Sequence, residues 1–269
     1  MPIAPAADKS VELLAGPLAH DRYARLALAR QVAERTAANF GADLLFCALY
    51  GSVARETDGP FSDVELFCAC RSGDTPCRVY EWIEAGIKIK LRVYTEAGLI
   101  AETAAVDTEW PLSHNKIFYH NLLAGSPALL AELRELATSA DEAAFAYTIT
   151  HVYLAEVYEL TAKLYNLRHL AEVADKGAAP VLLKLLEHVA IILGMAERRC
   201  FSTRQLMLSE AAGWNILPGA FPQLCRLALS GNFVEGNKAD GLVEQLWSEL
   251  GAFLQQRDLL QTSAISGFY

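Results

Sequence analysis

The chain is short of positive charge. Its 23 lysines and arginines stand against 32 aspartates and glutamates, for a formal net charge of −9 and a pI of about 5.2. A nucleic-acid partner requires a basic face, so that class of function is not expected; an acidic cleft concentrates cationic ligands instead. No uninterrupted apolar run reaches the roughly 18 residues of a membrane span, so no membrane association is expected either. The opening MPIAPAADKS lacks a charged segment leading into an apolar one, which argues against a secretory leader and for a cytoplasmic location. Cys47, Cys68, Cys70, Cys77, Cys200 and Cys225 show no metal-site spacing and sit mostly in apolar contexts, so they read as reduced, buried small hydrophobes. No internal repeats appear in the half after Gly125.

What is present gathers in one stretch, LLFCALYGSVARETDGPFSDVELFCAC, residues 44–70. Leu44–Tyr50 is an apolar run of strand length bounded by Gly41 and Gly51. Gly51-Ser52 follows; a glycine at a strand end lets backbone N–H groups approach a phosphate, and Ser52 adds a hydroxyl. A short helix over Val53–Glu56 would aim its N-terminus at the same phosphate, with Arg55 on that turn. Asp58-Gly59-Pro60 signals a turn, and Ser62–Cys70 reads as a second strand with Asp63 and Glu65 at its start. Residues two apart in a strand share a face, which places these carboxylates roughly 6–7 Å apart at Cα. That spacing suits Mg²⁺, a hard cation that takes one or two carboxylates and completes its shell with phosphate and water. Triphosphate donors beside metal-binding acids read as nucleotidyl transfer; an ordinary βαβ turn with exposed acids is the plain alternative.

Around this stretch the pattern predicts an α+β chain, with a mixed-sheet domain over residues 1–130 and a helical bundle over 131–269. A first helix is expected over His20–Phe40, and Gly86–Tyr94 alternates cleanly as a half-buried strand. Arg78–Glu84 is either a short strand or a connection. Thr95 should cap a helix to Ala105, after which Trp110-Pro111 breaks the chain. Asp141 should cap a long helix to about Asp175, closed by Gly177, and Pro180 should open the next, to about Arg199. Further helices are expected over Thr203–Ala212, Phe221–Leu229 and Lys238–Gln256. On the long helix Val152, Glu156, Glu159, Lys163 and Asn166 recur at helical spacing. By spacing alone Glu159 and Lys163 form an ordinary solvated i,i+4 pair.

YGSVARETDGPFSDVE closely resembles the signature of the aminoglycoside 4'-O-nucleotidyltransferases, the kanamycin nucleotidyltransferase group of the polymerase-β-like superfamily. EWPLSH (Glu109–His114) and ELTAKLYNLR (Glu159–Arg168) are similar to further stretches of that group. The resemblance implies an N-terminal nucleotidyltransferase domain and Mg²⁺-dependent transfer of AMP, from ATP or of another monophosphate from its triphosphate, to the 4'-hydroxyl of an aminoglycoside. Pyrophosphate would leave and antibiotic resistance would follow. It implies Asp63 and Glu65 as metal ligands, Glu159 as general base, and Gly51, Ser52, Arg55, Ser62 and Lys163 at the nucleotide. Glu81 matches a position lining the antibiotic site, with Glu156 and Glu109 as further candidates for its ammonium groups. The family pairs two subunits with active sites at their interface, so a homodimer is expected. The superfamily's third acid would fall at Lys90, where none stands. Lys90 either replaces part of a second metal's charge or faces solvent on an edge strand. The competing readings are transfer to a protein or another small alcohol, and an ATP-binding scaffold that has lost catalysis.

Overall fold

The computed structural model describes residues 16–168, 174–214, 218–230 and 236–260. The chain divides into two compact units. The first runs to Ala105 and resumes at Ser113–Ser139; the second holds Val106–Leu112 and everything from Ala140. The single cut expected at 130/131 is thus replaced by an interleaved division.

The first unit is a five-stranded mixed sheet covered on both faces. Its order is β3-β4-β2-β1-β5, with β1 Leu44–Tyr50, β2 Val64–Cys70, β3 Cys77–Glu84, β4 Ile87–Thr95 and β5 Asn121–Gly125. β2 and β4 run parallel; the other neighbours are antiparallel. Period-two alternation splits the strands' side chains between two cores. On one face Cys47, Leu49, Leu66, Cys68, Ile89 and Leu91 pack beneath Leu28, Ala29 and Val32 of α1, Arg22–Phe40. On the other, Phe46, Ala48, Phe67, Ala69 and Tyr94 pack with Leu99, Ile117 and Leu130. Phe67 stands edge-on to Phe46 at 5.2 Å and to Tyr50 at 5.6 Å. Such pairs add about 0.5–1.5 kcal/mol each beyond area burial.

Helix α2 spans Gly51–Arg55, α3 Glu96–Ala104, α4 Trp110–Ser113, α5 Asn115–Phe118 and α6 Ala128–Thr138. Thr95 caps α3 by accepting the Gly98 N–H at 3.0 Å, as its sequence position predicts. Trp110-Pro111 corrects the expected break: it begins a helical turn, a position where proline's missing N–H costs nothing. β5 and α6 go beyond the elements that the sequence pattern predicts. α6 explains the late unit boundary, because its Leu129, Leu130, Leu133 and Ala137 bury against the sheet's second core.

The second unit is helical. Asp141 caps α7, Glu142–His151, by accepting the Ala143 N–H at 3.0 Å. Its continuation widens into a π segment at Val152–Val157 before α8, Tyr158–Arg168. The long helix expected from Asp141 thus carries a π segment, and the stretch in which it should end, residues 169–173, lies outside the described residues. Helix α9, Ala174–Ala196, starts before Gly177 and Pro180, which therefore neither close one helix nor open another. Its Gly177–Ala196 stretch has a mean hydropathy of 1.7, enough by length and composition to cross a bilayer. Here Leu185, Leu186, Val189, Ile192 and Leu193 form the unit's buried centre. Burial of each is worth about 1.5–3 kcal/mol, which holds the helix despite the bond lost at Pro180. Around it lie α10 Met207–Ala212, α11 Ala220–Ser230 and α12 Gly236–Gln256. Trp110 packs edge-on to Phe145 at 4.9 Å, tying the 106–112 segment to this unit.

Candidate active site

β1 ends at Tyr50, and Gly51 turns the chain into the five-residue α2 with φ +74, a left-handed conformation that glycine adopts without strain. Tyr50 at the N-cap makes no side-chain cap bond, so the first amides of the turn are not claimed by their own cap. After α2, the buried Asp58 fixes the loop leading to β2. Its side chain is 3% exposed and accepts from Arg25 Nη2 at 2.5 Å, Arg25 Nε at 2.9 Å and Arg22 Nη1 at 2.9 Å. Burial pushes the Asp58 carboxyl up, but the two guanidiniums outweigh it and hold the pKa below the ordinary carboxylate range. Arg25 also donates to the carbonyls of His20 and Pro60. This clamp, which sequence reasoning missed, anchors α1 to the loop five residues ahead of Asp63. The DGP turn marks the loop, but nothing in the sequence pairs Asp58 with arginines some thirty residues upstream.

β2 begins at Val64, so Asp63 stands at its mouth and Glu65 one residue inside. Strand register then sets a row of side chains on one face. Tyr50 opposes Glu65, Glu65 opposes Lys90, and Lys90 opposes Glu81. Burial raises the Glu65 pKa and the charge of Asp63 adds to the rise, against the opposing pull of Lys90, Tyr50 and Arg92. A Cβ on Gly51 would lie 2.3 Å from Glu65 Oε2, so the missing side chain leaves the space over that oxygen open. A half-buried carboxylate, a second acid two residues away and a cradle that a Cβ would fill fit a hard divalent cation with few protein ligands. Among the described residues no group of three or more His, Cys, Asp or Glu side chains converges on one metal position. Asp63 and Glu65 are the two carboxylates that could hold such an ion, with phosphate and water completing its shell.

Lys90 does not face solvent freely: its Nζ lies 3.7 Å from Glu81 Oε1, and Lys88 Nζ lies 3.3 Å from Glu81 Oε2. β3, where sequence left strand or connection open, is an edge strand that carries Glu81 into the row. Arg55 stacks over the Tyr119 ring at 3.9 Å, and its buried Nη2 has no hydrogen-bond partner. Ser52 is half-buried on α2. Ser62 closes the turn before the acids, its Oγ accepting the Gly59 N–H at 2.9 Å.

The remaining sequence candidates belong to the second unit. Glu156, Glu159, Lys163 and Asn166 are all exposed, whereas Val152 is buried. Glu159 pairs with Lys163 at 2.7 Å, and that hydrogen bond and charge lower its pKa. Glu156 sits on the π segment 3.8 Å from His188 Nε2. Glu109 receives Arg204 Nη2 on both oxygens, at 2.7 and 2.8 Å, and so braces the 106–112 segment. His114 is buried in the first unit, its Nε2 2.9 Å from the Thr103 carbonyl and its Nδ1 3.0 Å from Ser113 Oγ, a structural placement.

Residues 127–259 match the family model described as the KNTase C-terminal domain. Over most of its length the chain is similar to aminoglycoside nucleotidyltransferases. Two such proteins, each called aminoglycoside nucleotidyltransferase (4'), come from Staphylococcus aureus and a Bacillus species. Each is 27% identical over 237 residues, covering 87% of this chain and 91% of the relative. A solved nucleotidyltransferase-like protein from Exiguobacterium sibiricum is 14% identical, with a TM-score of 0.48 over 86% of this chain and 76% of the other.

Proposed function

We propose that this protein transfers a nucleoside monophosphate, AMP from ATP, to the 4'-hydroxyl of an aminoglycoside with release of pyrophosphate. The observation that carries the reading is the Gly51–Glu65 arrangement: an open position over a half-buried carboxylate, beside Asp63 and the amides of the Gly51-Ser52 turn. The relatives' names supply the acceptor class. Asp63 and Glu65 would hold Mg²⁺, which when bound would neutralise charge developing at the α-phosphate. Ser52, Arg55 and Ser62 position the triphosphate; the unpartnered Arg55 Nη2 is a donor suited to a phosphate oxygen. Ser62 accepts from Gly59 and keeps a hydroxyl proton to donate.

Glu159 takes the proton from the attacking hydroxyl, and Lys163 serves the triphosphate as a point charge. Their ion pair gives this division a physical logic. While Lys163 holds Glu159 the carboxylate is a weak base; once phosphate draws Lys163 away, its basicity rises as the proton is needed. Glu81 and Glu156 are the acceptors assigned to the drug's ammonium groups. Glu109 is not, because Arg204 already occupies its carboxylate. A homodimer with active sites at the subunit interface is part of the same proposal.

The test is mass spectrometry of tobramycin or kanamycin incubated with protein, ATP and Mg²⁺. A gain of one AMP, mapped to the 4' oxygen, is the expected product, and Asp63→Asn should abolish it. Tight ATP binding with no product from any aminoglycoside would sink the reading and favour the lapsed scaffold. Labelling of a protein acceptor would favour the other rival.

A further inference from the structure

β4 carries three basic side chains on the face that holds Glu65: Lys88, Lys90 and Arg92, alternate residues of one strand. Two of them are closely partnered. Lys88, 53% exposed, lies 3.3 Å from Glu81 Oε2 on the edge strand β3. Arg92, further inside, donates from Nε to Tyr50 Oη at 3.3 Å. Lys90 stands between them and differs from both. Its side chain is only 25% exposed, yet its Nζ lies 3.7 Å from Glu81 Oε1, a charge contact beyond hydrogen-bond reach. Lys88 approaches the same carboxylate more closely, so Lys90 has donors to spare.

The sheet order gives this lysine a particular place. β2 lies between β1 and β4. On the β1 flank of Glu65, Gly51 leaves the space over Oε2 open. On the β4 flank Lys90 sits directly beside Glu65 in parallel register, one strand spacing of about 4.8 Å away. Glu81, the next carboxylate outward, pairs with Lys90 from its far side. Glu65 thus has room for a cation on one flank and an ammonium built in on the other. A metal ion held between Glu65 and Glu81 would meet that ammonium. All of these groups belong to the first unit.

We propose that Lys90 binds the triphosphate of the nucleotide on the β4 flank of Glu65, and that its charge restricts the site to a single divalent cation. The inference rests on the reading of Asp63 and Glu65 as the metal acids of a nucleotidyl-transfer site. A triphosphate keeps negative charge after one divalent ion has bound, and phosphate oxygens that share that ion with Glu65 come within reach of a lysine beside it. An ammonium on a flexible four-carbon stem, with three donors, suits that task. Turning to phosphate breaks no hydrogen bond to Glu81, which keeps Lys88.

The experiment measures binding of α,β-methylene-ATP, which cannot release pyrophosphate, to the full chain by calorimetry with Mg²⁺ and no acceptor. Lys90→Met keeps the apolar stem and removes the charge. It should weaken the analogue by about tenfold or more, with the melting temperature near wild type. Should it not fold, Lys90→Gln takes its place. Lys88→Gln, which removes the closer partner of Glu81, should stay within twofold, and Glu81→Gln should bind at least as tightly as wild type because it releases Lys90. Lys90→Met within twofold of wild type would overturn the proposal. So would Lys88→Gln or Glu81→Gln weakened as much as Lys90→Met, because the lysine would then serve only to hold Glu81. Mn²⁺ titrated into an equimolar mixture of protein and analogue, with free Mn²⁺ read by electron paramagnetic resonance, should saturate at one ion per complex. Lys90→Glu, which adds a carboxylate between Glu65 and Glu81, should take up two. Two ions in the wild type, or one in both proteins, would overturn the restriction to a single cation. Wild type binding the analogue no better than Asp63→Asn would instead overturn the metal reading beneath it.

Discussion

Gly51 lies so close over Glu65 that a β-carbon there would sit 2.3 Å from Oε2. The glycine is also at φ +74, so alanine would meet both a strained backbone and a blocked oxygen. The strain alone costs about 1–3 kcal/mol. Gly51→Ala should keep its circular dichroism spectrum and lose about 100-fold in kcat/KM, the scale of a 1 Å misplacement at a reacting centre. A variant with wild-type kcat/KM would show that the space over Oε2 is not used.

Glu65 makes a prediction about stability. Its pKa is raised in the folded protein, mainly by burial and then by Asp63, so the fold holds this proton more tightly than the unfolded chain does. That contribution is present below the unfolded value, about 4.3, and is lost as pH rises through the folded pKa. At neutral pH the metal-free protein therefore carries the cost of an ionised, half-buried carboxylate. Glu65→Gln should melt at or above the wild-type temperature at neutral pH, with the advantage vanishing toward about pH 4, and should be inactive. A lower melting temperature than wild type at neutral pH, measured without metal, would contradict this.

Asp58 titrates with the opposite sign. The Arg25 and Arg22 guanidiniums depress its pKa, so its contribution is full above the unfolded value, about 3.9, and is lost as pH falls through the folded pKa. Breaking a buried pair of this kind costs about 3–5 kcal/mol. Asp58→Asn should lose stability on that order at neutral pH, measured by urea unfolding, and the gap should close in acid. A gap independent of pH would mean that the charge is not what matters.

Subunit sharing is testable by mixing. Asp63→Asn and Glu159→Gln should each be nearly inactive alone. If active sites lie at a dimer interface, unfolding and refolding an equimolar mixture should restore about a quarter of wild-type activity, because half of the random dimers carry one intact site. No recovery would assign both residues of each site to one subunit.

Much of the first unit is legible in the chain. Leu44–Tyr50 forms its strand with the bounds that Gly41 and Gly51 announce, and Thr95 caps the helix that its position predicts. Those features are local: an apolar run between glycines, a hydroxyl before a helix. β5 escapes because Asn121–Gly125 is a short edge strand with little burial to pattern it. Arg92 escapes for a related reason. Alternation correctly assigns Lys88, Lys90, Arg92 and Tyr94 to one face, but that face reads as solvent until the second core is seen to cover Tyr94 to 1% exposure. Which polar residue a strand presents is local; what waits opposite is a property of the sheet order.

The widened turn at Val152–Val157 acts as a spacer in the angular sense. An α-helix advances 100° per residue, and a π turn absorbs one residue without breaking the rod. Deleting a single residue there would let the helix close up as a regular one and leave Glu159 and Lys163 near their present bearing, whereas the same deletion in a regular stretch would swing them by about 100°. The widened turn thus stores one residue of slack in the rod, so that the bearing of those two side chains tolerates a one-residue deletion at Val152–Val157 that it would not tolerate elsewhere on the helix.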